Sequence, residues 1–209
     1  MTELRETFSA SQRIGPLQVW WTTHPPRSSG ELTARPLLES WFQLAPGTLP
    51  LQRDARGKPH LEGALQRHDV SWSHSGQALL LTTGPDVQVG ADIERLRPRP
   101  RALELAQRYF APEETTALRA LPEAGRPLAF LRLWCAKEAV LKAHGHGISF
   151  GLQRLVFAPA AAMHTQAWGP LRLVACDRRL GAPPDWTLHQ WQPHPKYLAA
   201  VAWRARPPG

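Results

Sequence analysis

Leu17, Val19 and Trp21 alternate along GPLQVWW, the period of a half-buried strand. The spacing changes over LTARPLLESWFQLAPG, which predicts a helix from about Pro36 to Leu44, closed by Pro46 and Gly47. A polar loop, PLQRDARGKPHLEG, separates it from DVSWSHSGQALLLTTGPDVQVGADIE. That stretch reads as three short strands, divided by Ser-Gly and Thr-Gly-Pro-Asp turns. Pro98 and Pro100 then break the sheet pattern, and helices are predicted over about Arg101–Phe110, Pro112–Leu121 and Pro127–His144. The second of these opens on Pro112, Glu113 and Glu114, a favourable first turn against the helix dipole. Further strands are expected near Leu152–Phe157, Leu171–Ala175, Trp186–Trp191 and Tyr197–Trp203, with RARPPG as a loose tail. Strands and helices in both parts of the chain give an α+β class, and the seam is expected near Gly84–Gly90. The division is 1–86, 87–204 and a tail at 205–209.

Two of these elements carry charge where an apolar pattern leaves little room for it. On the strand Val87–Glu94, Val87, Val89, Ala91 and Ile93 form one face, and Gln88, Gly90, Asp92 and Glu94 the other. The second face ends in two carboxylates about 7 Å apart, which repel unless a cation lies between them. Hard oxygen ligands of this kind suit Mg²⁺ or Mn²⁺ with a substrate phosphate. The plainer alternative is a strand end whose acids pair with Arg95, Arg97 or Arg99. The long helix is apolar around nearly its whole circumference, so Lys137, Glu138 and Lys142 are not on a solvated face by default. A buried charge needs a partner, a metal or a ligand, and an intrahelical Glu138–Lys142 bridge is the simplest answer.

Composition sharpens this reading. The 209 residues have 25 Lys and Arg against 17 Asp and Glu, a formal charge of +8, which favours an anionic partner. Only Lys58, Lys137, Lys142 and Lys196 are lysine, and three of them lie in the charged segments. Arg and Lys differ physically, so lysine kept against such a bias suggests sites that need a compact ammonium. Cys135 and Cys176 have no zinc spacing and read as reduced thiols of a cytoplasmic protein. No signal-peptide core or long apolar run appears, so a soluble chain is expected.

Taken together, the charged segments resemble the 4′-phosphopantetheinyl transferases of the surfactin-synthetase-activating type. The resemblance is carried by Gly90-Ala91-Asp92-Ile93-Glu94, by Phe110 with Glu114, and by Trp134-Cys135-Ala136-Lys137-Glu138-Ala139 with Lys142 and Gly145. Upstream, Gly57-Lys58-Pro59 and Ser71-Trp72-Ser73-His74-Ser75 match in order. It implies two similar α/β halves in a pseudo-twofold arrangement, a monomer with its site at the interface. It also implies transfer of phosphopantetheine from coenzyme A to a serine of an apo acyl or peptidyl carrier protein, releasing 3′,5′-ADP. By residue match, Asp92, Glu94 and Glu138 would hold Mg²⁺ or Mn²⁺, with Glu138 or Glu114 as general base. Lys142, Lys58 and His74 would meet phosphates, supported by Ser73, and Lys137 would contact either phosphate or the rest of the structure. Arg35 stands where the family has basic residues for the adenosine phosphate. Carrier proteins of the family are acidic, which suits a basic chain.

Two rivals use some of these features. A divalent-metal nuclease or phosphodiesterase would use paired acids and a lysine, but does not account for the Ser-His-Ser segment. A basic nucleic-acid-binding module predicts aromatics exposed among basic residues, whereas the tryptophans here lie in apolar strands and helices. The reading therefore implies neither nucleic acid nor membrane as partner.

Overall fold

The computed structural model of the chain describes residues 9–159 and 170–207. It is an α+β protein built on antiparallel sheets. A six-stranded sheet takes β1 (Ser9–Ile14), β2 (Leu17–Thr23), β3 (Leu51–Arg53), β4 (Pro59–Leu61), β5 (His68–Ser75) and β6 (Ala78–Pro85) in the order β1-β2-β6-β5-β4-β3. A three-stranded sheet follows, formed by β7 (Val87–Arg95), β10 (Thr187–His194) and β11 (Tyr197–Ala205) in the order β10-β11-β7. β8 (Leu155–Pro159) and β9 (Leu171–Cys176) form a separate pair. The helices are α1 (Gly30–Trp41), α2 (Ala102–Tyr109), α3 (Pro112–Ala120) and α4 (Arg126–His144). No helix among the described residues is long and apolar enough to cross a membrane.

The chain changes sheets at one residue. β6 continues to Pro85 and β7 begins at Val87, so the predicted four-residue turn is reduced to Asp86 with φ +55°. Both faces of β7 are then covered. Val87, Val89, Ala91 and Ile93 pack with Leu17, Val19, Leu80, Tyr197, Ala199 and Val201 between the two larger sheets. The opposite face lies under α4, whose Leu133, Ala136, Ala139 and Leu141 are fully buried with Ala200 and Ala202 of β11. Each buried Leu of this kind is worth about 1.5–3 kcal/mol.

Gly90 is where α4 meets the strand. A Cβ there would stand 1.9 Å from the Ala139 carbonyl oxygen and 2.4 Å from the Ala143 nitrogen. The glycine leaves no free space beside the acids, because the helix backbone fills it. Gly90→Ala is expected to lower stability by about 1–3 kcal/mol, the range for overpacking. An unchanged urea midpoint would contradict this contact.

Nor do the two sheets meet by a backbone ladder at their seam. Residues 69, 71, 73 and 75 of β5 point at β7 and join it by side chains. Asp69 Oδ2 accepts from Val89 N at 2.8 Å, Ser71 Oγ from Ala91 N at 3.0 Å and Ser75 Oγ from Arg95 N at 3.1 Å. Ser73 Oγ donates to Asp92 Oδ1 at 2.8 Å. The seam is thus polar on the side that carries the two acids.

Three expectations change. α1 starts six residues before Pro36, capped by Ser29, whose Oγ accepts from Glu31 N. Proline inside the helix is tolerated because Pro36 and Leu32, whose carbonyl loses its partner, are both exposed to water. The polar loop contains β3 and β4, too short and polar to show a period. The tail is ordered at its start: Ala205 pairs with Val87, and Arg206 donates from its backbone N to Asp86 O and from Nη1 to Gln66 O.

Candidate active site

The site is built where the Asp92 end of β7, the Ser73 end of β5 and the last turns of α4 converge. Glu138 and Lys142 are one helical turn apart on α4, and the turn closes at Gly145, with φ +83° in the left-handed region. Lys142 Nζ donates to Asp92 Oδ1 at 2.7 Å and to Ser73 Oγ at 3.0 Å, and lies 3.8 Å from Glu138 Oε2. One ammonium therefore stands within 4 Å of two buried carboxylates. The intrahelical bridge foreseen as the simpler alternative is present, but it is the longer of the two contacts.

Electrostatics follow from burial and this crowding. Burial pushes the Glu138 carboxyl up to about 7; Lys142 pulls it down, while Asp92 and Glu94 push it further up. Burial, then the charge of Asp92, also raises Glu94, against the opposing pull of Arg99, Ser75 and Lys142. For Lys142, burial disfavours the charge, but Asp92 and Glu138 outweigh it and hold the ammonium above its ordinary value.

Each acid of β7 has one oxygen bound and one open. Asp92 Oδ1 takes Ser73 and Lys142, while Oδ2 is buried with no partner. Glu94 Oε2 takes Ser75 Oγ at 3.3 Å and Arg99 Nη2 at 3.0 Å, and among the described residues no hydrogen bond reaches Oε1. The pairing with Arg99 is one of the plain alternatives raised for this strand end. Among the described residues no three His, Cys, Asp or Glu side chains are gathered as a metal cluster. Lys142 occupies the space between Asp92 and Glu138. The donor set nevertheless fits a hard divalent ion: oxygen ligands only, one of them a buried acceptor left unsatisfied, which is costly unless something fills it.

A cleft of about 190 Å³ opens beside Lys142, lined also by Arg53, Arg56, Lys58, Ser71, Trp72 and Gly145. It is below the roughly 300 Å³ of a complete small-ligand pocket, so it can enclose only part of a larger ligand. Lys58 reaches it already engaged. Its Nζ donates to Asp69 Oδ2 at 2.7 Å and to the Ala143 carbonyl at 2.6 Å, capping the end of α4 from the other sheet. One of its three donors remains for a ligand. Arg53 lies over the Trp72 ring at 5.2 Å, and Arg56 Nη1 meets His146 Nδ1 at 2.8 Å.

The remaining sequence candidates lie elsewhere. His74 points away from Ser73, as neighbours on a strand must, and its ring lies 4.7 Å from that of His24, just beyond the end of β2. β4 pairs with β5 only at His60 and Asp69, so the strand edge from 71 to 75 is open. A ligand crossing that edge passes Ser73 on one side and His74 on the other. Arg35 is tied to Glu31 Oε1 at 2.9 Å and to the Leu49 carbonyl at 3.0 Å, outside the cleft lining.

Glu114 and Lys137 are not brought to the site. They form an ion pair of 2.7 Å with 1% and 0% of their side chains exposed. Glu114 also accepts from Phe157 N at 2.8 Å and Ala111 N at 3.1 Å. Lys137 donates to the carbonyls of Leu152 and Leu155 and sits 5.1 Å from the Phe110 ring. Burial pushes this carboxyl up and this ammonium down, and each is held partly back by the other. The pair bonds to itself and to backbone at the start of α3, at Leu152 and on β8, so it braces the fold: this is the structural alternative for Lys137, and it differs from the base role that the resemblance allowed Glu114.

Sequence reading missed Asp69, Arg53, Arg56 and Trp72. Asp69 had a signal, since Asp-x-Ser-x-Ser-x-Ser over 69–75 is a strict polar alternation on one strand face. The arginines had none, because β3 and β4, which carry or flank Arg53 and Arg56, are legible only once folded.

Comparison with known proteins bears on this geometry. Residues 88–202 match the model of the 4′-phosphopantetheinyl transferase superfamily. The chain is 31% identical over 190 residues to the 4′-phosphopantetheinyl transferase HetI of Nostoc sp., covering 87% of this chain and 80% of HetI. It is 36% identical over 126 residues to a putative 4′-phosphopantetheinyl transferase of Synechocystis sp., covering 60% of this chain and 51% of the relative. It is 32% identical over 123 residues to the 4′-phosphopantetheinyl transferase psf-1 of Bacillus pumilus, covering 59% of this chain and 51% of psf-1. The chain thus spans most of HetI and about half of the other two.

Proposed function

Because this chain belongs to the 4′-phosphopantetheinyl transferase superfamily, we propose that it moves phosphopantetheine from coenzyme A to a serine hydroxyl of an apo acyl or peptidyl carrier protein. The observation that carries the reading is the junction of Asp92, Ser73, Lys142 and Glu138, beside a cleft walled by Arg53, Arg56 and Lys58. A positive cleft next to a cluster of acids is what a diphosphate substrate with a divalent counter-ion requires.

In this reading Asp92, Glu94 and Glu138 would hold Mg²⁺ or Mn²⁺ through carboxylate oxygens. The ion, when bound, neutralises the diphosphate and polarises the reacting phosphorus. Lys142, drawn off Asp92, meets a phosphate oxygen as a compact ammonium. Lys58 offers its third donor, and Arg53 and Arg56 supply the remaining positive charge. Glu138, one helical turn from Lys142 at the same junction, is placed to take the proton of the incoming serine hydroxyl. The serine oxygen bonds to the β-phosphorus, the phosphoanhydride bond breaks, and 3′,5′-ADP leaves with the negative charge.

Part of the same proposal are the pseudo-twofold relation of the two halves, a monomeric state, an acidic carrier and a cytoplasmic setting. The basic charge of +8 supports the acidic partner through steering. A full-length preparation incubated with Mg²⁺, coenzyme A and apo carriers of both kinds is expected to add one phosphopantetheine mass to a carrier, read by mass spectrometry. No gain on any carrier overturns the reading.

A further inference from the structure

Arg99 stands just beyond β7 and turns back on Glu94. Its Nη2 donates to Glu94 Oε2 at 3.0 Å, and each of the two side chains is 21% exposed. Its Nε is buried without a hydrogen-bond partner, and among the described residues Glu94 is the carboxylate it pairs with. Ser75 Oγ holds the same Glu94 oxygen at 3.3 Å. The arrangement mirrors Asp92, where Lys142 and Ser73 share one oxygen and leave the other open. Each acid therefore keeps a protein cation on one of its two oxygens.

A guanidinium this close to a metal-binding carboxylate has opposing consequences. It fixes the side chain, which favours coordination by preorganisation. It also places a positive charge beside the position of a divalent ion, which disfavours that ion through repulsion that burial keeps from being fully screened. Ser75 already supplies the fixing, so the repulsion decides the sign. A diphosphate reverses it, because its negative charge then lies between the two cations. Resting on the transferase reading above, we propose that Arg99 is a positioning residue and the resident counter-cation of Glu94, and that it makes divalent-ion binding depend on the diphosphate arriving with it. A site built this way takes up the metal with coenzyme A and holds it weakly alone.

The test is Mn²⁺ affinity of the full chain, followed by electron paramagnetic resonance of the free ion, with and without coenzyme A. Arg99→Gln is expected to tighten Mn²⁺ binding on the order of five-fold in the absence of coenzyme A, and by much less in its presence. Arg99→Lys, which keeps the charge, should behave as the parent. Arg99→Gln that leaves Mn²⁺ affinity unchanged or weaker without coenzyme A overturns the inference, as does equal tightening in both conditions or a lysine variant that behaves like glutamine. Mn²⁺ that binds neither protein also overturns it. The carrier-mass assay on the same preparations separates the two ideas. A parent that modifies its carrier while Arg99→Gln leaves Mn²⁺ affinity unaltered sinks only the role of Arg99, whereas a parent with no transfer sinks the function.

Discussion

Asp92→Asn is expected to lower carrier modification by about 10²–10³-fold, the loss seen when one preorganised electrostatic partner leaves an active site. Two effects combine. The amide keeps the shape of Asp92 but removes the charge that holds Lys142 at 2.7 Å, leaving the ammonium with Glu138 at 3.8 Å as its remaining carboxylate. It also removes a hard ligand whose Oδ2 is buried and unsatisfied. A second readout follows from the coupling of the acids. Asp92 is one of the charges that raise Glu138, so without it the Glu138 carboxyl should titrate below about 7. Initial rates from carrier mass, with circular dichroism to confirm an intact fold, check the first effect. A rate near that of the parent would contradict the assignment of Asp92.

Glu114→Gln is expected to cost about 3–5 kcal/mol of stability, because it leaves the Lys137 ammonium buried without its counter-charge. Adding Lys137→Met should lower the total below the sum of the two single losses, since the stranded charge is then gone. Urea unfolding of the four proteins reads both numbers. Transfer per folded molecule should be retained in Glu114→Gln, because the pair braces α4 against α3 and β8 and touches no part of the cleft. A variant that is as stable as the parent but inactive would make Glu114 catalytic and the brace wrong.

The difference between Asp92 and Glu114 shows how far the sequence could be read. Both are acids in segments that resemble the family, and both were candidates for chemistry. Letters fix which residues recur at a spacing; they do not fix whether a carboxylate faces a cleft or a buried lysine. Lys137 and Glu138 are adjacent in sequence, but 100° of helix rotation sends one to the Leu152 and Leu155 carbonyls and the other toward Lys142. His74 and Ser73 separate the same way by the period of a strand. Arg99 was visible as a partner for the strand acids, yet its choice of Glu94 Oε2, and the open oxygen that results, depend on where the chain turns after Arg95.

By itself the sequence determined the α+β class, the position of α4 to within a residue at each end, and the strand β7 with its apolar and acidic faces. These follow from periodicity, and periodicity is local. It also carried the family resemblance, because the charged motifs lie in contiguous segments. Only the tertiary structure decided the polar seam between β5 and β7, the packing of α4 directly on Gly90, the capping of α4 by Lys58, and which lysine meets which acid. The seam and capping contacts join residues from 19 to 85 positions apart. Nothing in the local chemistry of either partner selects the other until burial removes water as the competing partner.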